Sequence, residues 1–273
     1  MSNSIAQIDS LKVGILGVGV MGEALLAGVI TAGLPASNIA FVEKRPERSA
    51  EIVAKFGAQH RELEDVVRES DLLLLVVKPQ DLGDLLDSFN GHLKKTALLV
   101  SFAAGKSTKF IEGRLDGEVS VIRVMPNTPL LIGKGMSVLS AGAHASSSQM
   151  ELISKLLAAS GDVWSVEENL QDAVTAMSGS GPAYFFAFIE AMVTSGQKLG
   201  LDEQTSTRLA IQTIVGAAGM LQESGKSATT LRENVTSPNG TTAAALKVFS
   251  EGGLTQLVDQ AMTAARDRSV ELG

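Results

Sequence analysis

A short apolar run, Val13 to Leu16, meets a six-residue turn holding three glycines, Gly17-Val18-Gly19-Val20-Met21-Gly22, and a helical pattern follows from Met21 to Ala32. This strand–turn–helix junction constrains the fold more than any other feature of the 273-residue chain. Glycine is needed where a chain turns sharply off a strand and where a phosphate must approach the backbone. A helix N-terminus then offers unpaired N–H groups and a partial positive charge. A lone glycine triplet is weak evidence. Here a strand precedes it, a helix follows it, and a second apolar run ends about twenty residues further on. Gly17, Val18, Gly19, Val20 and Met21 are therefore read as a loop that cradles a dinucleotide pyrophosphate. The bland alternative is a glycine-rich turn without a ligand.

The same alternation continues through the first part of the chain. Ile39 to Val42, Leu72 to Val77, Ala97 to Val100, Val119 to Val124 and Met136 to Leu139 are short apolar runs separated by helical patterns. Unbroken apolar runs of this length suit strands buried on both faces, and their alternation with helices predicts a parallel, doubly wound sheet. Around Trp164 to Glu168 the pattern changes. From Leu170 onward only helical stretches are legible: 170–199, 202–222, 228 to about 233, 241–250 and 254–272, with Asp202 as a helix cap. The expected organisation is a Rossmann-like α/β domain over residues 1–165 and an all-α domain over 166–273. Helices so rich in Ala, Gly, Met and Leu are expected to bury faces against a second copy.

Composition narrows the class. A net charge of −7 argues against a nucleic-acid backbone as partner. The absence of cysteine excludes disulfides and thiolate metal sites, and no His/Asp/Glu spacing suggests a metal. No signal peptide or membrane span is legible, so a cytoplasmic protein is expected.

Ligands of open parallel sheets lie at the carboxyl ends of the strands. The second run ends in Glu43-Lys44-Arg45-Pro46. A carboxylate there would accept from a ribose 2′-hydroxyl and favour NADH; Lys44 and Arg45 would favour the 2′-phosphate of NADPH. The signals conflict, and the two cations tip the expectation toward NADP(H), with NAD(H) left open. Lys78-Pro79, Ala103-Ala104-Gly105 and Met125-Pro126-Asn127-Thr128-Pro129 fall on the same rim, as a wall for a flat nicotinamide ring.

Acid–base groups are scarce. His60, His92 and His144 each sit in polar stretches and read as surface residues, and no lysine or arginine occurs between Lys155 and Lys198. A hydroxy-acid dehydrogenase would need such a group. An imine arrives protonated and asks mainly for alignment. The stretch Val235 to Leu246, VTSPNGTTAAAL, supplies that: Ser237, Gly240, Thr241 and Thr242 open a helix whose free N–H groups and hydroxyls could receive a carboxylate. Ordinary helix capping is the competing reading.

At this point the residues GVGVMGEAL, VVKP, SFAAG, RVMPNTP, DAVTAMSGSGPAY and NVTSPNGTT, in that order, resemble the pyrroline-5-carboxylate reductases over about Lys12 to Arg268. The resemblance implies reduction of the cyclic imine 1-pyrroline-5-carboxylate to L-proline with NAD(P)H. It implies a substrate carboxylate held by Ser237, Gly240, Thr241 and Thr242, with the Thr242 hydroxyl on the ring nitrogen. Glu168 matches an acidic position near the amine. Asn234, Val77, Lys78, Pro79 and Ala104 match cofactor contacts, and Arg45 sits where the family meets the adenosine phosphate. A homodimer with intertwined helical domains, and a ring of dimers such as a decamer, are the implied assemblies. Asn239 departs from the family's glycine but tolerates positive φ. A reductase of a related cyclic imine or β-hydroxy acid, and a non-catalytic dinucleotide-binding regulatory dimer, remain the alternatives.

Overall fold

The computed structural model describes residues 10–273; the first nine, on which the reading of the N-terminus and the opening of the expected first domain fall, lie outside the described residues. The chain forms two compact units, one of residues 10–180 with Ala265–Gly273, the other of Gly181–Ala264.

The first unit is built on an eight-stranded sheet. Its strands are β1 (Val13–Leu16), β2 (Ile39–Val42), β3 (Gln59–His60), β4 (Leu72–Leu75), β5 (Leu98–Ser101), β6 (Ser120–Met125), β7 (Gly135–Ala141) and β8 (Gly161–Ser165). Their order is β3-β2-β1-β4-β5-β6-β7-β8, so the winding reverses between β1 and β4. Helices α1 (Val20–Thr31), α2 (Pro46–Phe56), α3 (Leu63–Glu69), α4 (Leu82–Phe89), α5 (Thr108–Glu112) and α6 (Ser147–Ala158) connect them. The reason for the apolar runs is visible in β4. Leu72 and Leu74 enter the core under α1 and α6, with Leu25, Leu26, Ile153 and Leu156. Leu73 and Leu75 enter the opposite core, with Val66, Leu82, Leu86 and Phe89. Each leucine so buried contributes roughly 1.5–3 kcal/mol relative to exposure.

The expectation of a parallel sheet needs one correction: β7 runs antiparallel to β6. Residues 126–134 hold only a single 3₁₀ turn, Thr128–Ile132, and are too short for the crossover that a parallel return requires. Strand β8, parallel to β7, and the two-residue β3 carried no apolar run and were not expected.

After β8 the chain makes α7 (Gln171–Val174) and a π-helical turn, Thr175–Gly179. Gly179 lies against Met125: an added Cβ would stand 2.4 Å from Cε, the tip of that flexible side chain. The second unit holds α8 (Gly181–Lys198), α9 (Glu203–Glu223), α10 (Ala228–Asn234), α11 (Thr241–Glu251) and the first part of α12 (Leu254–Leu272). Asp202 caps α9 by accepting from Thr205 N–H at 2.7 Å, as expected. Within this unit Phe188 and Phe249 meet with ring centroids 6.2 Å apart. Phe185, Phe186, Val215, Val248 and Leu257 stand exposed.

The last residues of α12 return to the first unit. Ser269 Oγ donates to Asp172 Oδ1 at 2.7 Å. Gly105, at φ +76, approaches the same turn so closely that a Cβ would lie 2.7 Å from Ser269 O. Asp172 also faces the buried guanidinium of Arg123 on β6.

Candidate active site

The carboxyl ends of β2, β1, β4 and β5 are neighbours. Four of the expected cofactor segments follow these strands directly: Lys44 and Arg45 after β2, the glycine turn after β1, Val77-Lys78-Pro79 after β4, and Ala104 after β5. The three glycines of the turn differ in what they must do. Gly17 has φ +100, and a Cβ on it would stand 2.6 Å from Val76 O. A Cβ on Gly22 would stand 2.1 Å from Gly17 O. Gly19 has ordinary dihedrals, φ −62 and ψ −163, and nothing lies within 4 Å of its would-be Cβ. The outer two glycines therefore let the turn and α1 pack. The middle one keeps a face open beside the start of α1, where no side chain caps the helix. That open face at a helix N-terminus fits a pyrophosphate. Val18 is fully buried, Met21 packs on the core, and Val20 is exposed at the mouth.

The turn is held from behind by side chains absent from the expected set. Arg48, on α2, donates from Nε to Val18 O at 2.9 Å and from Nη2 to Gly19 O at 3.5 Å. It also pairs with Glu23 on α1 and with Glu51 at 2.7 Å. Lys55 Nζ meets Glu23 at 2.7 Å. Hydrogen bonds from Lys55 and then Arg48 hold the Glu23 carboxyl below its ordinary value, against the opposing effect of burial. The one sequence signal for this cluster is the spacing of Arg48, Glu51 and Lys55 along α2, whose start is set by Pro46 at its first turn.

At the end of β2, Glu43 and Arg45 are joined. Glu43 Oε1 accepts from Arg45 N at 3.1 Å and from Arg45 Nε at 3.0 Å. The Arg45 side chain is exposed while that of Glu43 is almost covered. Lys78 is exposed at the rim and Ala104 is half-buried. His60, His92 and His144 are exposed, as expected. Among the described residues no group of three or more His, Cys, Asp or Glu could hold a metal ion, and no helix is long and apolar enough to cross a membrane.

Glu168 is already engaged within the first unit. Its two carboxylate oxygens accept from Thr108 N and Thr108 Oγ1, each at 2.6 Å, and Arg123 Nη1 lies 3.8 Å away. The carboxylate thus covers the first turn of α5 and offsets a buried cation. Asn127 makes a comparable tie. It accepts from Met136 N at 2.8 Å and donates to Ser178 O at 3.3 Å, fastening the end of β6 to the π turn.

The remaining expected residues lie in the second unit. Asn234 ends α10. Gly240 N-caps α11 and forms a turn with Ser237 O at 3.0 Å. Asn239 is the one non-glycine residue at positive φ, +59, among those described. Four helix starts are closed by side chains, those of Ser107, Ser146, Asp202 and Ser227, while those of α1, α2, α3 and α4 are not. The start of α11 has no side-chain cap, and among the described residues the hydroxyls of Ser237, Thr241 and Thr242 make no hydrogen bond within the chain. Only Thr236 is spent, on Arg232 O at 2.6 Å. The arrangement therefore differs from simple capping: the hydroxyls at this helix start are not spent on its own amides.

Residues 168–272 match the family model described as pyrroline-5-carboxylate reductase dimerisation, and residues 12–105 match that described as NADP oxidoreductase, coenzyme F420-dependent. A pyrroline-5-carboxylate reductase of Pseudomonas aeruginosa is 43% identical over 242 residues, covering 88% of this chain and 89% of the relative. Among solved structures, the Plasmodium falciparum pyrroline carboxylate reductase with NADP bound superposes with a TM-score of 0.89 at 28% identity, over 98% of this chain and 100% of that one. The Coxiella burnetii pyrroline-5-carboxylate reductase does so with a TM-score of 0.89 at 32% identity, over 96% and 98%.

Proposed function

Since the chain belongs to the pyrroline-5-carboxylate reductase family, we propose that it reduces 1-pyrroline-5-carboxylate to L-proline, the last step of proline synthesis. NADPH is the favoured donor and NADH an alternative. The cofactor supplies a hydride to the C=N carbon. The observation that carries the reading is the uncapped start of α11, with its unspent hydroxyls.

The N–H groups of Thr241 and Thr242, with the Ser237 hydroxyl and the Gly240 backbone, hold the substrate carboxylate. The partial positive charge of the helix start adds to their attraction. The Thr242 hydroxyl then meets the ring nitrogen. A protonated imine already has an electrophilic carbon, and hydride addition leaves an amine that needs no further proton at carbon. Orientation is accordingly the chain's main contribution. Gly17, Val18, Gly19, Val20 and Met21 hold the pyrophosphate, and Lys44 and Arg45 the adenosine end. Val77, Lys78, Pro79 and Ala104 line the nicotinamide end, and Asn234, at the end of α10, is a further cofactor contact of this reading. Glu168, with both oxygens engaged, serves this scheme as a support for α5 and Arg123 rather than as a direct ligand.

A homodimer is proposed through the second unit, supported by its exposed Phe185, Phe186, Val215 and Leu257. Rings of dimers are the larger assembly of the same proposal. A cytoplasmic setting is proposed with it, supported by the absence of cysteine.

The test is oxidation of NADPH and NADH in parallel, with pyrroline-5-carboxylate and a six-membered cyclic imine as acceptors. Turnover of the five-membered substrate, faster with NADPH, is expected. Failure of both cofactors with this substrate would end the reading.

A further inference from the structure

We propose that Glu43 is a positioning residue for NADPH selection: it aims Arg45 at the cofactor's 2′-phosphate instead of reading the ribose hydroxyl. The proposal rests on the dinucleotide reading given above.

A carboxylate at the end of β2 ordinarily accepts from the ribose diol and repels a phosphate there. To do so it must present its oxygens to open space. Glu43 does not. Its side chain is 9% exposed, against 63% for Arg45. Oε1 takes the backbone N–H and Nε of Arg45, and Oε2 lies 3.4 Å from Arg45 Nη2. The N–H of Val18 in the glycine turn adds a smaller pull that, like Arg45, lowers the carboxyl's pKa. The carboxylate's acceptor capacity is thus turned toward Arg45, through that residue's backbone N–H and its guanidinium.

The contact with Arg45 is side-on, through Nε and Nη2. The opposite corner of the guanidinium, at Nη1, has no hydrogen bond or ion pair among the described residues, and the side chain as a whole is exposed. A planar fork pinned on one edge can meet a phosphomonoester with less ordering cost than an untethered side chain. Charge balance agrees. Glu43 offsets Arg45, and Lys44 next to them is exposed and has no ion pair among the described residues. The segment keeps a net positive charge while holding its arginine in one place. Hydrogen bonding from Arg45 keeps the Glu43 carboxyl below its ordinary range, so it stays ionised at neutral pH.

The ribose-reader rule and this proposal predict opposite signs for one substitution. Glu43→Gln retains an acceptor for the Arg45 backbone N–H and removes the charge that orients the guanidinium. Titration calorimetry with NADP⁺, NAD⁺ and 2′,5′-ADP is the measurement, with thermal melting to confirm that the variants are folded. NADP⁺ and 2′,5′-ADP should each bind about tenfold more weakly, and NAD⁺ should change by less than about twofold. Arg45→Ala should give the same pattern, and the double variant should lose little more than either alone. Tighter NADP⁺ binding, an equal effect on both dinucleotides, or full additivity with Arg45→Ala would overturn the proposal. A wild-type protein that binds neither dinucleotide would overturn the dinucleotide reading itself, and the proposal with it.

Discussion

Arg48 Nε donates to the carbonyl oxygen of Val18 across 2.9 Å, fastening α2 to the back of the glycine turn. A peptide whose oxygen is held on one side must show its N–H on the other, so Arg48 orients the amide of Gly19 toward the open face. Arg48→Ala should therefore weaken NADPH and NADH alike, by about tenfold each. Arg48→Lys, which keeps the charge but not the fork, should recover part of the loss. Fluorescence titration of both dinucleotides is the measurement. Unequal losses would move Arg48 from the pyrophosphate to the adenosine end.

The glycines of the turn should separate folding from binding. In Gly22→Ala the new Cβ meets the Gly17 carbonyl at 2.1 Å, and the overpacking should cost roughly 1–3 kcal/mol, read as a lowered Tm. Gly19→Ala adds a methyl into open space on a backbone any residue adopts, so its melting temperature should stay near that of the wild type. Its dinucleotide affinity should nonetheless fall on the order of tenfold or more, as the methyl takes the place of phosphate oxygens. Unaltered affinity would mean that the pyrophosphate is not seated over Gly19.

Thr242→Ala should lower kcat by about 10- to 100-fold, since one well-placed hydrogen bond contributes roughly 1.5–3 kcal/mol. Its Tm should not move, because that hydroxyl makes no bond within the chain among the described residues. Thr242→Ser should retain most of the turnover. Wild-type kinetics in the alanine variant would remove the hydroxyl from the reaction.

The acid limb of stability should show Glu23. Its carboxyl titrates below the ordinary 4.5 in the folded chain because Lys55 and Arg48 hold it. The folded state thus binds fewer protons than the unfolded one. Its contribution is fully present above the unfolded value and is lost as pH falls through the folded value. Urea midpoints of wild type and Glu23→Gln should differ most above about pH 4.5 and converge below it. A gap that stayed constant down to acid pH would assign the difference to packing alone.

Much of this was legible beforehand. Leu72–Leu75 and Val13–Leu16 were readable because strands buried on two faces tolerate no polar residue. The glycine turn was readable because its signal is local: three glycines between a strand and a helix. Gly161–Ser165 was not, since this strand begins Gly-Asp and carries Trp164 largely exposed. The reversal at β7 depended on the length of a connection rather than on any pattern within the strand. Arg48 escaped for another reason. Its partners are backbone carbonyls about thirty residues earlier, and backbone acceptors leave no mark on sequence. The conflict at Glu43-Lys44-Arg45 could be stated from the residues, but only geometry says where the carboxylate points.

The closing turn of α12 gives the chain an order of assembly. The sheet and its helices lie ahead of Ser180, so they can fold as they leave the ribosome. Asp172 must then wait for its Ser269 hydroxyl, and the surface around Gly105 for its cover, until some ninety further residues have been translated. Until then the Asp172 carboxylate has, among the described residues, only Arg123 to answer it, and the end of the chain is the last piece to settle.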